Sequence, residues 1–282
     1  MSIVWDNHYP DPNILKKEIN CMLEAFVEVL LGAIPKQEIA GIYFKGSAQK
    51  EWDTPLDYVP EISDIDIHLL FEDDSTIEKY LGTTEQTIDI QSKIEKIYIS
   101  KIAKPYHIPR PQLMILNLLL HEEDYIPSPK NAITVLHGID YPGPDPFKLK
   151  RIKMIDCQHL INAEQFLRKF PLHVIDRPSK YLWQSLRNLV WHISPIGSRV
   201  LSIRGTPYEN VWGMNRTKIV ALLNESGEQK LAQNYSQFYF SGWDYFLSNY
   251  ADTNAGRKAI IAGINVLRNG IEIAKTYLSS LK

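Results

Sequence analysis

The sequence predicts an α+β protein: a mixed sheet with helices over residues 1–143, then a helical bundle over 144–282. Three observations carry that prediction. Short apolar runs bounded by turn residues recur in the first half, apolar residues at helical spacing fill the second, and the segment YPGPDPF, Tyr141–Phe147, separates them. Three prolines and a glycine in seven residues stiffen that segment and exclude regular structure.

In order along the chain, Asp11-Pro12 reads as a helix start, with a carboxylate to cap and a proline in the first turn. Ile14, Leu15, Ile19, Met22, Leu23, Phe26 and Leu30 continue that helix on one face, and Gly32 and Pro35 end it. Ile39–Phe44 reads as a strand running into Gly46-Ser47. The stretch 48–63, AQKEWDTPLDYVPEIS, reads as a loop, and Asp64–Phe71 as a second strand. Glu72–Ser75 reads as a turn and cap, and a helix is expected within Thr87–Ile102, broken by Pro105, Pro109 and Pro111. Leu113–Leu120 is expected as a third strand and Ile133–Leu136 as an extended segment ending at His137-Gly138.

Beyond residue 147 the spacing is helical throughout. Ile152, Ile155, Leu160, Ala163, Leu167 and Phe170 trace one face, Leu182, Leu186, Leu189 and Ile193 a second, and Leu231, Tyr235, Phe238 and Phe246 a third. The last helix repeats Ile260, Ile264, Leu267, Ile271, Ala274, Leu278 and Leu281 at alternating spacings of four and three, a heptad seam that suits packing inside a bundle. Trp183, Trp191, Trp212 and Trp243 are expected in its core.

Composition narrows the function classes. With 31 basic and 33 acidic residues, the formal net charge is -2. A protein that neutralises many phosphates of a long nucleic acid shows a basic excess, so a nucleic-acid partner is not expected. The N-terminus lacks a basic region followed by an apolar one, and Leu113–Leu120 falls far short of the ~20 apolar residues that cross a bilayer. A cytoplasmic protein without a membrane partner is the expectation. Cys21 and Cys157 lie far apart within apolar patterns and read as reduced core thiols. The eight histidines show no zinc spacing, and no P-loop or Rossmann fingerprint occurs.

The chemistry-bearing pattern is Gly46-Ser47 followed by Ser63-Asp64-Ile65-Asp66. Residues two apart on a strand share a face, so Asp64 and Asp66 present two carboxylates side by side. A divalent cation relieves their repulsion, and Mg²⁺ prefers such oxygens together with phosphates and water. A glycine at the end of a strand lets the backbone approach a ligand, and backbone N–H groups with the Ser47 hydroxyl suit phosphate oxygens. His68, on the same face, reads either as a substrate contact or as a hydrogen-bonded strand histidine.

GIYFKGSAQ…SDIDIHLLF resembles the nucleotidyltransferase superfamily, and is most similar to the antibiotic nucleotidyltransferases of the kanamycin, streptomycin and lincosamide type. That resemblance implies a nucleotidyltransferase-like domain followed by a helical bundle. It implies Mg²⁺-dependent transfer of AMP, or another NMP, from an NTP such as ATP to a hydroxyl of a small-molecule acceptor, with pyrophosphate leaving. It also implies catalytic and metal-ligand roles for Asp64 and Asp66 and nucleotide binding by Gly46 and Ser47. A helical-domain lysine in that family reaches the nucleotide, and Lys218 in NRTK stands at the matching place, or is a surface lysine. The family's third carboxylate falls on the next strand, where QLMILNLLL offers Asn117; Glu122, Glu123 and Asp124 follow as other acids or as a solvated turn. A chain without that acid fits an alternative, a weakly active or inactive nucleotide-binding regulatory protein. The 48–63 stretch is longer than in that family, and reads as a substrate lid carrying Trp52, Asp53, Asp57 and Tyr58 or as a surface insertion. Arg187, on an apolar helical face, reads as one half of an ion pair or as a cleft residue.

Overall fold

The computed structural model describes residues 4–281 and divides the chain into two compact units, residues 1–51 with 63–144 and residues 52–62 with 145–282. In chain order the first unit holds α1 (Pro12–Ala33), β1 (Ile39–Lys45), β2 (Ile65–Phe71), α2 (Ser75–Leu81), α3 (Thr84–Lys101), β3 (Pro111–Ile115), α4 (Leu116–His121) and β4 (Thr134–Gly138). The four strands form one mixed sheet in the order β3-β2-β1-β4. β1 runs antiparallel to both β2 and β4, and β2 runs parallel to β3.

Alternation sorts the strand residues onto two faces. Ile42, Phe44, Ile65, Ile67 and Leu69 occupy one face and are buried. Tyr43, Lys45, Asp66 and His68 share the other, where Tyr43, Leu116 and Tyr141 form a small apolar cluster. α1 begins on the Asp11 cap, whose carboxylate accepts from Asn13 N, and packs against α3 and β3 through its buried stripe. The proline-bearing connection before β3 is fixed from α1: Glu18, buried, accepts from Tyr106 N at 2.5 Å and His107 N at 3.2 Å and pairs with His107 Nδ1 at 2.5 Å.

Three segments differ from the sequence expectation. The helix expected within 87–102 starts earlier, at Thr84, because Thr83 and Gln86 form a capping box. α2 begins at Ser75, the last residue of the expected turn and cap, and continues through a stretch for which the sequence offers no element. The strand expected over Leu113–Leu120 ends at Ile115 and turns into α4, so Asn117 sits on a helix. Leu-Asn-Leu-Leu-Leu contains no β-branched residue, and leucine favours helix; an apolar run without alternation did not distinguish the two.

The second unit holds α5 (Pro146–Lys150), α6 (Ile152–Lys169), α7 (Leu182–Ile193), α8 (Ile196–Arg204), α9 (Tyr208–Val211), α10 (Arg216–Glu225), α11 (Gln229–Leu247) and α12 (Thr253–Ser280). α12 packs against α6, α7, α8 and α11, so its heptad seam lies inside the bundle from Ile260 to Ala274, whereas Leu281, beyond the helix end, is exposed. Gly256, Gly263 and Gly270 repeat at seven-residue spacing along it. A Cβ at Gly263 would stand 2.4 Å from Ile193 Cδ1, 2.7 Å from Leu189 Cδ2 and 3.0 Å from Phe238 Cδ2, which shows how closely α7 and α11 approach. Gly263→Val is therefore expected to destabilise the fold by about 1–3 kcal/mol through overpacking, read as a lowered urea midpoint. Trp243 is fully buried, as expected, whereas Trp191 is half exposed. Both cysteines are free, and burial pushes the Cys157 thiol up to about 11.

Residues 52–62 are an integral part of the second unit rather than a solvated loop or a free lid. Trp52 and Tyr58 stack with ring centroids 4.5 Å apart, and Leu56, Tyr58, Val59 and Ile62 are buried. Trp243 Nε1 donates to Pro55 O at 2.7 Å, Arg216 Nη1 to Leu56 O and Asp57 O at 3.2 and 3.1 Å, and Arg187 Nη1 to Glu61 O and Ile62 O at 2.9 and 3.0 Å. Gly242 leaves room for this segment, since a Cβ there would meet Ile62 Cδ1 at 2.4 Å. Arg187 thus serves backbone carbonyls of the same unit. Among the described residues, no helix is long and apolar enough to cross a membrane.

Candidate functional site

The first unit gathers the C-terminal end of β1 and the N-terminal ends of β2 and β3 at one edge of the sheet. Lys45 pairs in register with Asp66, and Asp66 in turn with Gln112. The chain then turns at Gly46, whose φ of +84° belongs to the left-handed region that glycine tolerates. A Cβ on Gly46 would fall 1.9 Å from Asp66 Oδ2. Gly46 and Asp66, twenty residues apart in sequence, are therefore in direct apposition, and only a glycine allows it. Ser47 follows in the turn closed by Gln49 N on Gly46 O at 3.3 Å.

Asp64 stands just before β2. Its side chain is only 8% exposed and takes a fork from Arg110, with Nε to Oδ1 at 3.0 Å and Nη2 to Oδ2 at 2.7 Å. Two parallel charge-assisted bonds fix both side chains. Arg110 arrives there because Ile65 N bonds Arg110 O at 3.0 Å, which aligns the residue before β3 with the start of β2.

Lys45 is half-buried. Burial pushes its ammonium below the ordinary lysine range, and the Asp66 carboxylate draws it back upward. Two residues further into the sheet, His68 is completely buried. Its Nδ1 shares a proton with Tyr141 Oη at 2.8 Å, and Tyr141 meets Tyr125 Oη at 3.0 Å. His68 is thus a hydrogen-bonded strand histidine. Burial, then the charge of Lys45, pushes it down to about 2 from 6.5. Between those values the unfolded chain takes up a proton that the folded chain refuses, so stability falls as pH drops below about 6.5. The loss from this residue is expected to reach about 3 kcal/mol at about pH 4. Urea midpoints measured across that window should decline less steeply in His68→Gln than in the natural chain; parallel profiles would refute the assignment.

The other candidate residues lie elsewhere. Asn117 is buried at the opposite end of β2, with Oδ1 accepting from Phe71 N at 2.9 Å and Nδ2 donating to Phe71 O at 3.1 Å and Asp74 Oδ1 at 2.8 Å. Phe71 lies five residues along the strand from Asp66, roughly 16 Å. The β3 residue beside Asp66 is Gln112, not Asn117. Glu122, Glu123 and Asp124 are exposed in the turn after α4. Lys218 belongs to the second unit, in the first turn of α10, where its Nζ lies 3.8 Å from Asp53 Oδ2 with both side chains well exposed.

The paired acids offer hard oxygen donors. Among the described residues no group of three His, Cys, Asp or Glu side chains converges. Both Asp64 oxygens are engaged by Arg110, which leaves Asp66 as the carboxylate beside the Gly46 turn; Mg²⁺ bound through one carboxylate, with waters and substrate phosphates completing its shell, fits that donor. Sequence reasoning missed Arg110, Lys45 and Gln112. Lys45 carries a visible signal, since it closes β1 directly before Gly46. Arg110 and Gln112 become neighbours of the acids only through the parallel register of β2 and β3. No family model, curated protein or solved structure matches this chain.

Proposed function

We propose that the Gly46–Asp66 edge of the sheet binds an NTP with Mg²⁺ and that the protein transfers the NMP, AMP from ATP in the simplest case, to a hydroxyl of a small-molecule acceptor. The single observation that carries this reading is the apposition of Gly46, at φ +84°, on the Asp66 carboxylate. A bare backbone turn beside a strand carboxylate juxtaposes a phosphate-binding element with a cation ligand.

In this reading Asp66 holds the Mg²⁺, which when bound supplies charge neutralisation for the triphosphate. The Gly46-Ser47 turn orients the phosphates through its N–H groups and the Ser47 hydroxyl. Arg110 adds a permanent positive charge within reach of Asp64, and Lys45 places an amine beside Asp66. The acceptor oxygen forms the new bond to the α-phosphorus, the bond to the bridging oxygen breaks, and pyrophosphate leaves. The hydroxyl proton passes to water, because the amide of Gln112 cannot accept it. Most of the rate then comes from positioning and electrostatics.

A second reading, a nucleotide-binding regulatory protein with little or no turnover, draws on Gln112 beside Asp66 and on the Arg110 fork that occupies Asp64. One experiment separates them. The protein is titrated calorimetrically with each NTP plus Mg²⁺, and pyrophosphate release is then followed with a panel of hydroxylated acceptors, aminoglycosides included. Binding with release supports transfer; binding without release across the panel supports the regulatory reading; no binding of any NTP sinks both.

A further inference from the structure

The first unit contains a cavity of about 400 Å³ that the nucleotide reading does not use. Its walls come from α1 through Met22, Phe26 and Leu30, from α3 through Ile90 and Ile94, and from β3 through Leu113. Leu113 is the register partner of Ile67, so the cavity opens on the apolar face of the sheet, opposite the face that carries Asp66. A concave apolar site of this size with few polar groups is the usual form of a small-molecule pocket.

The polar groups that reach it are few and unequal. Arg110 is its one cation. The Arg110 fork to Asp64 uses Nε and Nη2, and no hydrogen bond to Nη1 is made among the described residues. One edge of a half-exposed guanidinium is therefore free for a second carboxylate. Glu95, the one acid at the cavity, is exposed and accepts from Gln91 Nε2 at 3.2 Å, so water screens it.

We propose that this cavity binds a small monocarboxylate with an aliphatic body, the chain lying among Phe26, Leu30, Ile90 and Ile94 and the carboxylate on Arg110. Apolar walls favour the hydrocarbon, and the guanidinium edge supplies the charge that selects an acid over the corresponding alcohol. The cavity meets the proposed nucleotide edge at Arg110, whose Nε and Nη2 hold Asp64, but its apolar walls do not depend on the nucleotide reading.

The test uses octanoate and 1-octanol as probes, titrated into the full chain by calorimetry without nucleotide. Octanoate is expected to bind at one site per chain and at least about tenfold more tightly than octanol. Arg110→Gln should erase that preference, bringing octanoate to the level of octanol. Ile90→Trp, which fills the cavity from a half-buried wall position, should abolish binding of both while leaving the circular dichroism unchanged. Equal affinity for acid and alcohol, octanoate binding unaffected by Arg110→Gln, uptake of several molecules per chain, or no binding would each overturn the proposal. Should Ile90→Trp fail to fold, the acid-to-alcohol ratio in the natural chain and in Arg110→Gln still decides.

Discussion

Asp66→Asn is expected to lower Mg²⁺-dependent pyrophosphate release by roughly three orders of magnitude while leaving the fold intact. The substitution keeps the size of the side chain and removes its charge. Asp66 carries the carboxylate that faces the Gly46 turn, so it is the acid through which cation and triphosphate meet in the proposed site. Removing one preorganised electrostatic contact at a developing charge costs about 10²–10³-fold in rate, and losing a metal ligand adds to that. Asp64→Asn should be gentler on binding and harder on stability, because it leaves the Arg110 fork with a neutral partner. The measurement is pyrophosphate release at saturating Mg²⁺, paired with urea unfolding of each variant. An undiminished rate in Asp66→Asn would remove the acid from the mechanism and the transfer reading with it.

Asp57→Ala is expected to destabilise the second unit by about 2–4 kcal/mol, the cost of removing the shared acceptor of several part-buried donors. Asp57 is 1% exposed and accepts four hydrogen bonds. Two come from within its own segment, Asp53 N at 2.8 Å and Thr54 N at 3.1 Å. Two come from the start of α10, Thr217 N and Thr217 Oγ1, both at 2.8 Å. One carboxylate therefore closes the capping box of the short helix Pro55–Asp57 and also satisfies an orphan N–H at the N-terminus of α10. Alanine would remove the acceptor of all four donors, of which Thr217 Oγ1 keeps Thr54 Oγ1 at 2.7 Å. Asn should recover part of the loss, since its oxygen still accepts. The check is chemical denaturation followed by tryptophan fluorescence, because Trp52 and Trp243 belong to the same segment and its packing. A loss below about 1 kcal/mol would mean that apolar burial alone seats the segment.

Much of the local structure is legible in the residues themselves. Asp11-Pro12 sets the start of α1, Gly46 marks a turn at the end of a strand, and the seam from Ile260 to Ala274 announces a packed helix. These depend on short-range physics: caps, dihedral limits and the periods of 3.6 and 2. The Leu113–Leu120 run predicts a strand where the structure has a strand end and α4 for the same reason, since a local pattern without alternation fits a buried helix as well as a strand.

By itself the sequence determined the α+β division, the strand that carries Asp66 and begins one residue after Asp64, and the glycine turn that precedes it. Tertiary structure alone decided which groups surround those acids. The parallel register of β2 and β3 put Gln112, rather than Asn117, beside Asp66 and brought Arg110 onto Asp64. The seating of residues 52–62 was likewise decided at a distance, by Asp57 on Thr217 and by Arg187, Arg216 and Trp243 on backbone carbonyls. The physical reason is common to both cases. Periodicity and capping are written into neighbouring residues, whereas a buried charge or carbonyl takes whichever partner the packing brings to it, and that partner leaves no trace in the residues nearby.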